Sequence, residues 1–116
     1  LSGLELIAEE CERVRTVEGH DTFHDDRHTK GELAQAAAAY ALTPFLREEI
    51  PVREGGLGEG WESCSVSSAE AYVPLHWPWS PFDWKPSHDR KRELVKAGQL
   101  IVAELDRLER LAQRRA

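Results

Sequence analysis

The chain has 116 residues, 41% of them hydrophobic and 31% charged, which describes one ordinary domain with a modest core and a well-solvated surface. Its formal net charge of −6 excludes a general nucleic-acid binder, because affinity for the nucleic-acid backbone comes from Lys and Arg neutralising phosphates. No apolar run approaches the ~18 residues of a membrane span, no charged-then-apolar secretory pattern is visible, and Cys11 and Cys64 allow at most one bridge, so reduced thiols and a cytoplasmic setting are expected.

In chain order, Leu4–Val17 reads as a first helix. Leu4, Ile7, Ala8, Cys11 and Val14 recur at helical spacing, Ser2 is available as a cap, and Gly19 ends the run. His20–His28 reads as a helix-entry loop, because Gly19 precedes it and Thr29-Lys30-Gly31-Glu32 follows with the Thr-x-x-Glu spacing of a capping box. That box opens a second helix, Leu33–Leu42, whose many alanines predict close packing by neighbours on several sides. Thr43-Pro44 predicts a fresh cap and a short helix to about Ile50.

A flexible Gly-rich insertion is expected at about 51–68. It is not a phosphate loop, since the Lys-Ser/Thr ending and the following apolar helix are absent. Ser68–Leu75 fits a short helix or an extended piece equally. Trp77–Pro86 is predicted irregular, because its prolines break any ladder. Ser87 is the expected cap of a long last helix with Asp89 in its first turn and Arg114 and Arg115 near its end. Leu94, Ala97, Ile101, Leu105, Leu108 and Ala112 trace the seam of that helix, thickened by Val95, Val102 and Leu111, a face broad enough for a bundle core or a partner helix. The expected architecture is a single all-α domain over 1–116: a small helical bundle with a long C-terminal helix and an irregular Trp/Pro-rich segment.

Unusual chemistry is concentrated in two stretches. His20–His28 holds three imidazoles and three carboxylates in nine residues. His20, His24 and His28 would share one face if the segment were helical, and His24, Asp25, His28 and Glu32 form a candidate metal set. The dyads His20-Asp21, His24-Asp25 and His88-Asp89 suit acid–base work, since a carboxylate fixes an imidazole's tautomer and raises its basicity. A structural reading has Asp25, Asp26 and His28 capping the second helix and tying the loop to Arg residues of the last one. Glu9, Glu10, Glu12 and Glu32 could serve a magnesium-dependent pyrophosphohydrolase, but the paired Glu-x-x-Glu and Glu-x-x-Asp motifs are missing and exposed helix glutamates read as solvated face.

Trp77, Trp79 and Trp84 either plug one end of the bundle or form a stacking wall for bases and other flat ligands, with Lys85, Arg90 and Arg92 placed to answer phosphate. A plug rim can also line a pocket.

The residues His24–Ala34, Trp77-Pro78-Trp79, Trp84-Lys85-Pro86 and Asp89–Gly98 together resemble a group of short proteins encoded by phages and prophages. Those proteins carry an acidic His-Asp-Asp-x-His block, an alanine-rich helix, a Trp-Pro-Trp stretch and a basic final helix. The resemblance covers most of the chain and implies an infected or lysogenic bacterial host, without implying an activity. Gly19, Asp25-Asp26, Tyr40 and Asp89-Arg90 are also similar in order to the repeat domain of ryanodine receptors. Gly19-His20-Asp21-Thr22-Phe23 stands where that family has Gly-Trp-x-Tyr-Gly, and its His-Pro after the acidic pair is absent. This second resemblance implies a module that holds a nucleotide-like ligand in a polar and aromatic cleft without turning it over.

The preferred reading is a phage-type, non-catalytic module for a small anionic or nucleotide-derived ligand, such as a host defence signal. Its expected ligand-binding residues are His24, Asp25, Asp26, His28, Tyr40, Trp77, Trp79, Trp84, Lys85 and Arg90, with no cofactor. One alternative is a nucleotide (pyro)phosphohydrolase using a divalent metal ion on His24, Asp25, His28 and Glu32, with Asp26 beside them. Another is a protein–protein inhibitor of a host system. A homodimer through the last helix is the expected assembly, with no membrane partner.

Overall fold

The computed structural model describes residues 1–51 and 72–115. Outside the described residues lie nearly all of the insertion expected at about 51–68, with Trp61 and Cys64, and the first part of Ser68–Leu75. Among the described residues the chain is mostly helical, as the sequence predicts: α1 (Gly3–Thr16), α2 (Thr22–Asp26), α3 (Glu32–Ala41) and a long α4 (Arg90–Arg115). A two-stranded antiparallel ribbon accompanies them, β1 (Glu49–Pro51) with β2 (Tyr72–Pro74), in the register Ile50 opposite Val73.

The first helix begins with a complete capping box. Glu5 N–H donates to Ser2 Oγ, and Ser2 N–H donates back to Glu5 Oε1, both at 3.1 Å. Gly19 takes a left-handed conformation (φ 73°), which lets the chain turn back so that His20 N–H donates to the Val14 carbonyl. Here the structure corrects the expected loop. Asp21 accepts a hydrogen bond from His24 N–H at 2.9 Å and so caps a single helical turn, α2. The capping box expected at Thr29–Glu32 does not form: α3 starts at Glu32 after Gly31, and the Glu32 carboxylate accepts from Lys30 N–H instead.

Two further expectations change. Pro44 opens only a short 3-10 turn, Pro44–Leu46, after which the chain extends into β1, so the helix expected to about Ile50 is absent. The last helix begins after Asp89, whose carboxylate accepts from Lys91 N–H, while Ser87 Oγ accepts from Asp89 N–H one step earlier. Trp77–Pro86 is irregular as expected, apart from a 3-10 turn at Pro81–Asp83 capped by Ser80.

All three shorter helices pack on α4, with α3 and α1 along it and α2 against its C-terminal half. The core joins Ala39 and Tyr40 of α3, Val73 of β2, Trp84 of the irregular segment and Ala97 of α4, with Ile50, Trp77 and Leu100 packed against it. Burial is thus gathered from four parts of the chain and not from one helix face. The seam expected on α4 divides accordingly: Ala97 is buried, whereas Leu94, Ile101, Leu105 and Leu108 lie on the exposed side. On α1, Val14 is buried but Leu4 is 84% exposed, and the acidic Glu10 is buried in its place.

Two charged knots hold the helices. Glu93, 1% exposed, accepts from Arg47 at 2.8 Å, Arg90 at 3.2 Å and Ser87 N–H at 3.1 Å. The same two guanidiniums cap α3: Arg47 donates to the carbonyls of Ala39 and Tyr40, and Arg90 to those of Tyr40, Ala41 and Leu42. Cations at a helix C-terminus satisfy orphan carbonyls and oppose the helix dipole. The second knot is Glu10, which accepts from Arg13 at 2.9 and 2.7 Å and from Arg92 at 2.6 and 3.0 Å, fastening α1 to α4.

Candidate functional site

A cleft of about 750 Å³ lies between residues of α1, α2, α3, the Trp/Pro-rich segment and the N-terminal half of α4. One wall is a ladder of imidazoles. His20 and His24 stack face to face, with ring centroids 4.1 Å apart and planes within 1°. His28 meets His24 edge-on at 5.0 Å, and His28 in turn meets Trp79 at 5.0 Å. Only His24 lies within α2; His20 precedes its Asp21 cap and His28 follows its last turn, so the ladder is assembled by a single helical turn and the residues flanking it on either side.

Trp79 belongs to the second wall. Trp77 and Trp79 meet edge-to-face at 5.4 Å, and Trp77 meets Tyr40 in the same way at 5.6 Å. Such arrangements suit the ring quadrupoles. Two main-chain tethers fix the segment: Trp77 Nε1 donates to the Ser80 carbonyl at 2.9 Å, and Tyr40 Oη accepts from Lys85 N–H at 3.0 Å. Trp79 Nε1, by contrast, is buried without a hydrogen-bond partner among the described residues. An orphan buried donor is costly and uncommon, and this one belongs to a side chain that lines the cleft.

The third side is charged. Lys96 Nζ donates to the Lys85 carbonyl at 2.6 Å and sits 5.3 Å from the centre of the Tyr40 ring. Burial, reinforced by neighbouring Arg92, lowers its pKa from the ordinary lysine value. Burial pushes Glu10 the other way, but hydrogen bonds from Arg13 and Arg92 outweigh it and bring the carboxyl down to about 2.

The structure brings together His24, Asp25, His28, Tyr40, Trp77, Trp79 and Lys85 of the expected site. It places three others elsewhere. Asp26 points at α4, bonded to Arg110 at 2.8 Å and Arg114 at 2.7 Å, as the structural reading of the acidic block has it. Trp84, 7% exposed, stacks beneath Tyr40 at 4.5 Å with Arg47 over its ring, inside the core. Arg90 is spent on the α3 carbonyls and Glu93. The alternative metal set is not assembled: His24 Nδ1 lies 3.2 Å from Asp25 and His28 Nδ1 3.4 Å from Glu32 as separate pairs, and no three His, Cys, Asp or Glu gather in ligating geometry among the described residues.

Sequence reasoning missed His20, Arg13, Lys96 and Gln99 in the cleft lining, and placed Arg92 only loosely. Arg92, Lys96 and Gln99 are at i, i+4, i+7 on α4, a polar stripe whose spacing marks one face of a helix. No family model, curated protein or solved structure matches the chain significantly.

Proposed function

We propose that this chain is a non-catalytic module that captures a small anionic or nucleotide-derived ligand, in the setting of a phage acting on its bacterial host. The observation that carries the reading is the convergence of the two chemically unusual stretches, 57 residues apart from His20 to Trp77, on one cleft of about 750 Å³. That volume suits a nucleotide-sized ligand. Trp77 and Trp79 offer rings for stacking, and Lys85 and Lys96 offer positive charge. A host defence signal built from nucleotides has this combination of flat and anionic parts.

Thermal-shift screening against nucleoside mono-, di- and triphosphates and cyclic dinucleotides tests the reading. A ligand at a hundred times its Kd adds about 2.7 kcal/mol of stability, a rise in Tm of about 10 °C for a domain of this size. Trp79→Ala should remove the shift while the far-UV spectrum stays helical. A panel that leaves Tm unchanged at millimolar concentration overturns the proposal.

A further inference from the structure

The histidine wall carries more than ring stacking. His24 Nδ1 lies 3.2 Å from Asp25 Oδ1, His28 Nδ1 3.4 Å from Glu32 Oε2, and His20 Nδ1 3.9 Å from Glu18 Oε1. A carboxylate on one ring nitrogen favours the tautomer with the proton there. In His24 and His28, Nε2 is then the nitrogen left over, whereas His20 lies too far from Glu18 for a hydrogen bond to fix its tautomer. In none of the three rings does Nε2 have a protein partner among the described residues. A neutral ring offers that Nε2 as an acceptor, while a protonated ring offers a second N–H donor.

The rings also restrain one another. His20 and His24 are parallel at 4.1 Å, a contact that a neutral pair or a single cation tolerates but two imidazolium ions do not. Burial lowers the pKa of His20 and His24 adds to the effect, with Glu18 and Asp25 opposing it. Uncompensated charge in the ladder is therefore disfavoured. The surrounding charges are largely matched. On α1, Arg13 bridges Glu10 and Glu18, and on α4 Arg92 is bound to Glu10. Asp26 is turned away to Arg110 and Arg114. Across the cleft stand Lys96 of α4 and Asp83 and Lys85 of the Trp/Pro-rich segment.

Resting on the ligand-binding reading above, we propose that His20, His24 and His28 form a proton-coupled anion subsite, in which a phosphate-type oxyanion enters against Nε2 as the ladder takes up a proton. No bond is made or broken beyond that protonation: the proton comes from solvent, and the ring that receives it donates Nε2–H to the anion. His20 thereby becomes a ligand residue, and the cleft prefers phosphorylated over unphosphorylated ligands, most strongly on the acidic side of neutrality.

Calorimetric titration of the whole chain with adenosine 5′-monophosphate, adenosine and inorganic phosphate, at pH 5.5 and 8 and in buffers of different ionisation enthalpy, tests this. The monophosphate and inorganic phosphate should bind with net proton uptake, and their affinity should fall up to about tenfold per pH unit above the histidine range. Adenosine should bind with little pH dependence. The variants His20→Gln and His24→Gln should keep their helical spectrum and lose most of the proton uptake. Phosphate-dependent binding with no proton uptake and a flat pH profile overturns the subsite while leaving the cleft as a ligand site. No heat from any of the three probes at either pH also overturns the subsite, and with an unchanged Tm across the nucleotide panel overturns the ligand-binding reading as well.

Discussion

Glu93 illustrates how one carboxylate organises this molecule. It neutralises Arg47 and Arg90 while those guanidiniums close the carbonyl end of α3, and Arg47 is itself almost wholly buried. Removing the carboxylate leaves the desolvated Arg47 cation with the α3 carbonyls but no counter-charge. Glu93→Ala should therefore cost about 3–5 kcal/mol, read as a lower midpoint in urea unfolding. Glu10 works in the same way between Arg13 and Arg92, and its pKa of about 2 against an ordinary 4.5 fixes the sign of its pH dependence. Between those values the unfolded chain binds more protons than the folded one, so stability rises with pH. The contribution of Glu10 is complete above about pH 4.5 and is lost as the pH falls toward 2. Glu10→Gln should flatten that part of the acid-denaturation curve, whereas an unchanged slope would place the acid sensitivity elsewhere.

At the scale of elements, the helices are held by a few close approaches. A Cβ on Gly98 would lie 2.4 Å from Ile7 Cδ1 and 2.7 Å from Cγ1, so α1 crosses α4 where α4 has no side chain. Gly98→Val should force the two helices apart or Ile7 out of its rotamer and destabilise the fold by about 1–3 kcal/mol, despite removing a helix glycine. Leu33 and Leu105 make a second test. Leu33 is 2% exposed at the head of α3 and Leu105 is 57% exposed on α4. Leu33→Ala should cost about 2–5 kcal/mol and Leu105→Ala less than about 0.5 kcal/mol in the same denaturant series. A large loss at Leu105 would show that the exposed side of α4 is covered in solution.

For the whole molecule, the decisive event is the docking of the Trp/Pro-rich segment between α3 and α4. Trp84 goes into the core under Tyr40, while Trp77 and Trp79 remain at the cleft with His28 against Trp79. The three tryptophans thus divide between plug and wall, two roles that the sequence allows together without saying which ring takes which. Trp84→Ala should accordingly lower Tm by removing a buried aromatic worth about 3–5 kcal/mol. Trp79→Ala should leave most of the stability in place and act on ligand binding. Equal losses of stability from both would argue that the wall is simply more core.

The sequence alone determined the helical class, the long last helix though not its first residue, the Ser2 cap of α1 and the irregularity of the proline-rich stretch. Each depends on interactions within a few residues, so spacing and propensity report them. It also marked His20–His28 and Trp77–Pro86 as the places where chemistry is concentrated. What only the tertiary structure decided is which members of those stretches face one another. Asp26, Trp84 and Arg90 look from sequence like their neighbours, yet long-range partners (Arg110 and Arg114, Tyr40, the end of α3) draw them away from the cleft. Lys96 and Gln99 enter it for the converse reason, because the face that α4 turns to α1 and α3 is set by packing and not by local pattern. The one-turn helix that carries His24 likewise escapes a sequence reading, since five residues are too few for helical periodicity to register, and the stacking of His20 on it is a contact made from outside that helix.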